Sequence, residues 1–160
     1  GIFLTRQPVR EIEKLYDKHY SWKEEKLIPG IGQNLVKKVQ GDCLRIKGRF
    51  DLKNCESFGF MLRTGKKNQG SELVYNVKRQ TLTILGMTMP LEPIDNKIQL
   101  DILLDRASAE VYANNGRGVL TNVFFNEVPD QELILFNTGG ELLVEELDIF
   151  SLKSAWAAED

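Results

Sequence analysis

Residues 100–125 read L-D-I-L-L-D-R-A-S-A-E-V-Y-A-N-N-G-R-G-V-L-T-N-V-F-F, and this stretch decides the fold. Apolar residues alternate with mostly polar ones over 98–104 and again over 107–113, which predicts two strands that each bury one face. Asn114-Asn115-Gly116 follows, a run of residue types that tolerate the positive φ angles of a tight hairpin turn. A third strand is predicted from Gly118 to Phe125. The stretch therefore predicts three consecutive strands.

Short strands of the same kind account for most of the remaining sequence. They are predicted at 44–50, 58–63, 72–77, 81–85, 132–136 and 142–152. Turn-forming Gly, Asn, Asp and Pro residues separate them, and the sequence has no long helical period and no internal repeat. Residues 18–26, which are polar and aromatic, and residues 84–93 are predicted to be loops, whereas 8–16 fits either a helical turn or an edge strand. The pattern is typical of an all-β protein, and we predict an antiparallel two-sheet β-sandwich.

Three segments also resemble, in order, the motifs of one enzyme family. Residues 105–116, D-R-A-S-A-E-V-Y-A-N-N-G, are similar to a D-R-S-S-V-E-V-F-x-N-x-G signature. Residues 7–15, Q-P-V-R-E-I-E-K-L, resemble Q-x-P-V-x-E-L-x-x-L, and residues 58–65, F-G-F-M-L-R-T-G, resemble F-G-F-x-L-R-x-G. All three motifs belong to the C-terminal β-sandwich of glycoside hydrolase family 32, which contains invertases, levanases and inulinases.

The resemblance implies a jelly-roll, concanavalin-A-like lectin fold with a definite division of the chain. Residues 1–17 would form an inter-domain connecting segment packed on the sandwich, 18–156 the sandwich itself, and 157–160 a disordered tail. The family's catalytic Asp, Asp and Glu lie in N-D-P-N, R-D-P and E-C motifs of an N-terminal five-bladed propeller, and none of these strings occurs here. Cys55-Glu56 has the reverse order. The chain is therefore expected to be a non-catalytic module whose partner is that propeller.

Composition excludes several other classes of function. A net charge of −2 gives no electrostatic case for binding nucleic acid or an anionic membrane, and no apolar run approaches the length of a transmembrane helix. The start lacks both Met and the pattern of a signal peptide, which is typical of a trimmed domain, so localisation is not predicted. We expect no cofactor.

The two cysteines are expected to be free thiols. If residues 42–51 and 57–63 form a hairpin, Cys43 lies at the far end of the ladder from Cys55, too distant to bridge. No metal site is expected, because two cysteines and His19 supply too few ligands at these spacings.

The signature contains six candidate site residues: Asp105, Arg106, Ser108, Glu110, Asn114 and Gly116. Asp105 and Arg106 could hold the vicinal hydroxyls of a sugar through bidentate hydrogen bonds. A structural role at the strand junction is favoured, because such side chains often satisfy local backbone groups. Glu110 alternates with apolar neighbours, so it should point away from the core, either into solvent or toward the catalytic domain.

Several aromatic and basic residues are candidate binding surfaces. Tyr75, Tyr112 and Trp22 are candidate sugar-stacking platforms, and Trp156 is expected instead to pack on the sandwich or a neighbouring domain. The basic stripe of Arg45, Lys47 and Arg49, in an acidic chain without interleaved aromatics, is interpreted as a solvated outer face.

Two functions of different classes follow. In the first, the module is structural: it packs on the propeller through a partly apolar face, stabilises it and, with a second copy, shapes substrate access. In the second, it is a fructan-binding carbohydrate module with a shallow polar groove and one or two aromatics. The first is preferred, and the second rests on analogy with lectin-like sandwiches.

Overall fold

The computed structural model describes residues 10–30, 34–64, 71–105, 108–124 and 132–153. These ranges contain a 3₁₀ helix, Arg10–Leu15, and eleven strands. The strands are β1 Tyr16–Leu27, β2 Leu44–Asp51, β3 Ser57–Thr64, β4 Ser71–Asn76, β5 Thr81–Ile84, β6 Met87–Pro90, β7 Lys97–Leu104, β8 Ser108–Ala113, β9 Gly118–Phe124, β10 Glu132–Thr138 and β11 Leu142–Leu152.

The strands form two antiparallel sheets. One sheet has six strands in the order β1-β11-β2-β7-β8-β9, and the other has five in the order β10-β3-β4-β5-β6. Every neighbouring pair is antiparallel. The prediction of an all-β, antiparallel two-sheet sandwich is confirmed.

A single apolar core fills the space between the sheets. In β7 the inward residues Ile98, Leu100, Ile102 and Leu104 are 0 to 2% exposed, as the alternation in the sequence predicted. The centre of the core is aromatic: the ring of Phe50 from the six-stranded sheet lies 4.8 Å from that of Phe58 and 6.0 Å from that of Phe60, both in the five-stranded sheet. These contacts join the two sheets directly.

The F-G-F motif has a physical reason in this core. Phe58 and Phe60 point inward and are fully buried, so Gly59 between them faces outward on β3. A Cβ atom at Gly59 would overlap the backbone carbonyl of Leu73 on the neighbouring strand β4. Backbone cannot move aside as a flexible side chain can, so only glycine fits at this position.

We therefore expect Gly59→Ala to lower the free energy of unfolding by about 1–3 kcal/mol, the usual cost of forcing atoms into a packed site. Urea denaturation followed by tryptophan fluorescence measures it. Glu72→Ala, an exposed change on β4, is the matched control and should stay within about 0.5 kcal/mol of the wild type. A Gly59→Ala protein as stable as that control would contradict the steric argument.

Two predicted loops are wrong. Residues 18–26, predicted to be a surface loop, lie within β1, a twelve-residue edge strand paired with β11. Only four of its twelve side chains are partly buried, so apolar alternation is weak and the polar residues dominate the pattern. Residues 84–93 contain β6, which pairs with β5 across Leu85 and Gly86, whose φ values of 47° and 79° fit a tight hairpin turn.

The described part of the predicted connecting segment, residues 10–17, forms the 3₁₀ helix and the first two residues of β1. Of the two alternatives for 8–16, the described residues follow the helical one over Arg10–Leu15, and the edge strand begins only at Tyr16. Leu15 is tied to the other end of the chain, since its carbonyl accepts a 2.7 Å hydrogen bond from the Lys153 amide. The predicted tail, 157–160, lies outside the described residues.

The two cysteines are not joined by a disulfide, as predicted, but the hairpin on which that prediction rested is wrong. β2 and β3 belong to different sheets and do not pair. Cys43 is half-buried and Cys55 buried, and neither forms a disulfide. Burial raises the pKa of the Cys55 thiol to about 11.

Candidate functional site

The signature hairpin is held at its turn by one buried amide side chain. Asn114, Asn115 and Gly116 have φ values of 49°, 59° and 84°, the conformation expected for this turn. Asn114 is only 3% exposed. Its Oδ1 accepts the backbone N–H of Gln99 at 3.0 Å, and its Nδ2 donates to the Glu92 carbonyl at 2.9 Å. The side chain therefore fastens the β8–β9 turn to the start of β7 and to the segment before it.

The other signature residues of the described chain also make local contacts. The Asp105 amide donates to the Ser108 carbonyl at 2.8 Å, and the Asp105 carboxylate accepts a 3.2 Å hydrogen bond from Cys43 Sγ. Glu110 points away from the core and accepts a 3.0 Å hydrogen bond from the Tyr112 hydroxyl. Arg106 lies outside the described residues. These contacts support a structural reading of the signature, and a sugar-binding role for it remains a hypothesis.

Replacing Asn114 should therefore be costly. We expect Asn114→Ala to destabilise the chain by about 1–3 kcal/mol, because it leaves the Gln99 backbone amide and the Glu92 carbonyl without their partly buried hydrogen-bond partners. Asn115→Ala is the matched control: it has the same left-handed backbone conformation but an exposed side chain. Chemical denaturation of both variants isolates the hydrogen bonds, and equal losses in the two would contradict this role for Asn114.

The basic stripe was predicted to be a solvated outer face, and for Arg45 this prediction is wrong. Arg45 is 5% exposed. Its Nε and Nη2 donate to the two carboxylate oxygens of Asp101 at 3.2 and 2.9 Å, and its Nη1 donates to the Tyr16 hydroxyl at 2.6 Å. Burial alone would lower the pKa of Arg45, but the hydrogen bonds and charge of Asp101 outweigh it and raise that pKa. The sequence could not predict this burial of Arg45, because its two partners lie on other strands, Asp101 on β7 and Tyr16 on β1.

The two other basic residues of the stripe remain accessible. Lys47 is exposed, and Arg49 is half-exposed with its Nε 2.8 Å from Glu145 Oε2. Lys97 Nζ lies 2.6 Å from the other oxygen of Glu145, and this hydrogen bond lowers the pKa of Glu145. The outward face of the six-stranded sheet is thus charged, with its acidic and basic groups largely paired.

A pocket of about 170 Å³ opens on this charged face. Strands β2 and β7 form its floor, and the end of β8 with the signature turn forms its wall. Its lining residues are Arg45, Lys47, Gln99, Asp101, Tyr112, Asn115 and Gly116. Sequence reasoning found Tyr112 and Gly116 but missed Gln99 and Asp101, because the register between β2, β7 and β8 that brings them together cannot be read from one strand.

The three aromatic candidates are in different surroundings. Tyr75 is fully buried, and its hydroxyl donates to the Leu91 carbonyl at 2.7 Å, so the prediction of a sugar platform there is wrong. Trp22 packs against the core, with the Lys38 ammonium 5.7 Å from its ring. Tyr112 is half-buried and lines the pocket. Trp156 lies outside the described residues.

The outward face of the five-stranded sheet has the opposite character. Met61, Val74, Ile134 and Phe136 are half-buried on it. Phe136 and Val74 flank Gly59 from the two neighbouring strands, and Ile134 pairs with Met61. We call these four side chains the apolar stripe.

Among the described residues, no helix is long and apolar enough to cross a membrane. The same part of the chain has no group of three or more His, Cys, Asp or Glu side chains placed to hold a metal ion.

The sandwich has the same fold as part of several larger chains of known structure. The chain superimposes on exo-inulinase from Aspergillus awamori with a TM-score of 0.79 at 22% identity, covering 95% of this chain and 33% of that one. It superimposes on fructan 1-exohydrolase IIa from Cichorium intybus with a TM-score of 0.66 at 18% identity, covering 93% and 38%. The fold is that of the β-sandwich in these larger chains.

Sequence comparison identifies the family. Residues 11–151 match the family described as glycosyl hydrolases family 32 C terminal, and the chain belongs to that family. It is 28% identical over 174 aligned positions to the levanase of Bacillus subtilis (strain 168), which covers 98% of this chain but 25% of the levanase. The chain thus spans about a quarter of that relative's length.

Proposed function

We propose that this chain is the non-catalytic accessory sandwich of a fructan or sucrose hydrolase and that it stabilises the catalytic propeller of the same protein. The apolar stripe is the single observation that carries the docking part of this proposal. The relatives support the substrate class, since their names are levanase, fructan beta-fructosidase and sucrose-6-phosphate hydrolase. The absence of the family's catalytic motifs from this sequence supports the accessory role.

The stripe suits an interface between domains better than the charged face does. Four partly exposed apolar side chains lie together around Gly59, on three neighbouring strands. Contiguous exposed apolar surface on a soluble domain commonly marks an interface. By contrast, covering the charged face would desolvate ion pairs such as Arg49–Glu145, which opposes docking there.

Docking of this kind would stabilise the catalytic domain by mass action within one chain. A folded sandwich that binds only the folded propeller shifts the propeller's unfolding equilibrium toward the native state. The expected activity effect is therefore on survival at raised temperature, with little change in the chemical step.

The test is Phe136→Ser in the full-length protein that contains this chain. We expect the temperature of half-inactivation of hydrolysis to fall by several degrees, at about 2–4 °C for each kcal/mol of lost interface energy. The same substitution in the 160-residue chain alone should lower its melting temperature less, because Phe136 is then only half-buried.

Lys47→Ser, on the opposite face, is the matched control and should leave both temperatures unchanged. Equal losses in the full-length protein and the isolated chain would mean that Phe136 acts only within the sandwich and would reject the docking face. Loss of heat resistance with Lys47→Ser but not Phe136→Ser would place the interface on the six-stranded sheet.

A further inference from the structure

We propose that the pocket on the charged face, between β2, β7 and the signature turn, binds one ring of a neutral sugar. This site is separate from the apolar stripe, which lies on the other sheet. Its volume of about 170 Å³ is below the several hundred Å³ of pockets for drug-sized ligands, so it admits a single ring rather than a long ligand.

The pocket floor is organised before any ligand arrives. Asp101 holds Arg45 through two hydrogen bonds, and the Tyr16 hydroxyl holds it through a third. The Asp101 side chain retains 20% exposure, so carboxylate surface remains open to the pocket. A group already fixed in this way loses little conformational entropy on binding, which favours even a ligand that makes few contacts.

Tyr112 supplies the apolar part of the site. Its hydroxyl donates to Glu110 two residues earlier on the same strand, so the ring is anchored at its far end. Across the ladder Tyr112 pairs with Asp101, which brings an aromatic ring and a carboxylate to the same pocket. An aromatic surface beside hydrogen-bonding groups matches a sugar, which has apolar C–H faces and a rim of hydroxyls.

Accessible polar groups complete the set. Lys47 donates only, Asp101 accepts only, and the Gln99 amide does both, with Lys47 and Gln99 exposed. Sugar hydroxyls can form hydrogen bonds with each of these groups, because a hydroxyl both donates and accepts. The pocket therefore offers the mixture that vicinal hydroxyls need.

The charge balance favours a neutral ligand over an anion. Asp101 neutralises Arg45, and Lys47, the other basic residue of the described lining, lies directly opposite the same Asp101 across the β2–β7 ladder. On the β11 side, the strand neighbour of Lys47 is Asp148, a second carboxylate residue beside the pocket. A phosphate or sulfate group in the pocket would meet the carboxylate of Asp101, which disfavours an anion.

The choice of fructan as the natural sugar rests on the proposed function, whereas the pocket itself does not. The experiment therefore uses sugars of two kinds. The 160-residue chain, labelled with ¹⁵N, is titrated with inulin-type and levan-type oligosaccharides, with maltotetraose as a neutral sugar that contains no fructose, and with inorganic phosphate. Amide chemical shifts report where each probe binds.

We expect saturable shifts with the fructan oligosaccharides, concentrated at Lys47, Gln99, Tyr112 and Asn115. Tyr112→Ala should weaken binding about tenfold, the equivalent of one well-packed contact. Tyr112→Phe, which keeps the ring, should stay within about twofold of the wild type. Gln99→Ala, an exposed change, provides a second loss variant that does not depend on Tyr112, and Glu72→Ala on the other sheet is the control.

Each outcome decides the proposal. Absence of saturable shifts with every sugar at millimolar concentration, shifts with phosphate alone, or binding that survives both Tyr112→Ala and Gln99→Ala would overturn it. Binding of maltotetraose but not of fructans, lost in the same variants, would support the sugar pocket and contradict fructan as its ligand. The docking face is tested separately by heat inactivation of the Phe136→Ser protein, so either proposal can fail alone.

Discussion

The contact of Phe50 with Phe58 and Phe60 is the constraint on which the rest of the structure depends. It joins the two sheets at the centre of the core, with Tyr75 against Phe58 at 6.0 Å extending the aromatic cluster. The Phe50 ring has room because Gly48, two residues earlier on the same face of β2, has no side chain. A Cβ atom at Gly48 would lie 2.7 Å from that ring. With Phe50 pointing inward, the period of two along β2 fixes Arg45, Lys47 and Arg49 on the outward side.

The two outward faces follow from this inward order, and they differ in chemistry. A slip of one residue in any strand would exchange its faces, so burial of the aromatic cluster also specifies which polar groups meet outside. Arg45 meets Asp101 because β2 pairs with β7 in that register, and Asp101 in turn meets Tyr112 on β8. On the other sheet the same logic brings Phe136, Gly59 and Val74 into one row.

The sequence predicted those features that a single segment contains. The alternation in β7 and β8 and the turn at Asn114 could be found because each follows from local backbone preference and burial on one face. Features that need pairing between distant segments were missed: the edge strand β1, the separation of β2 and β3 into different sheets, and the Arg45–Asp101 pair. Tyr75 was misjudged because its strand has apolar residues on both faces, so alternation could not show which side it occupies.

If docking and sugar binding occur on opposite sheets, as proposed, the arrangement has a mechanical consequence for binding a polymeric sugar. A sandwich docked through its five-stranded sheet leaves the pocket around Tyr112 open to solvent, so both surfaces can be occupied at once. A sugar ring held there stays tethered to the catalytic domain, which raises the effective concentration of the rest of the same polymer to about the millimolar range. Weak binding of one ring is then sufficient, since the gain comes from tethering. Only chains long enough to reach from one face of the module to the catalytic domain would benefit, so this arrangement would favour polymers over sucrose.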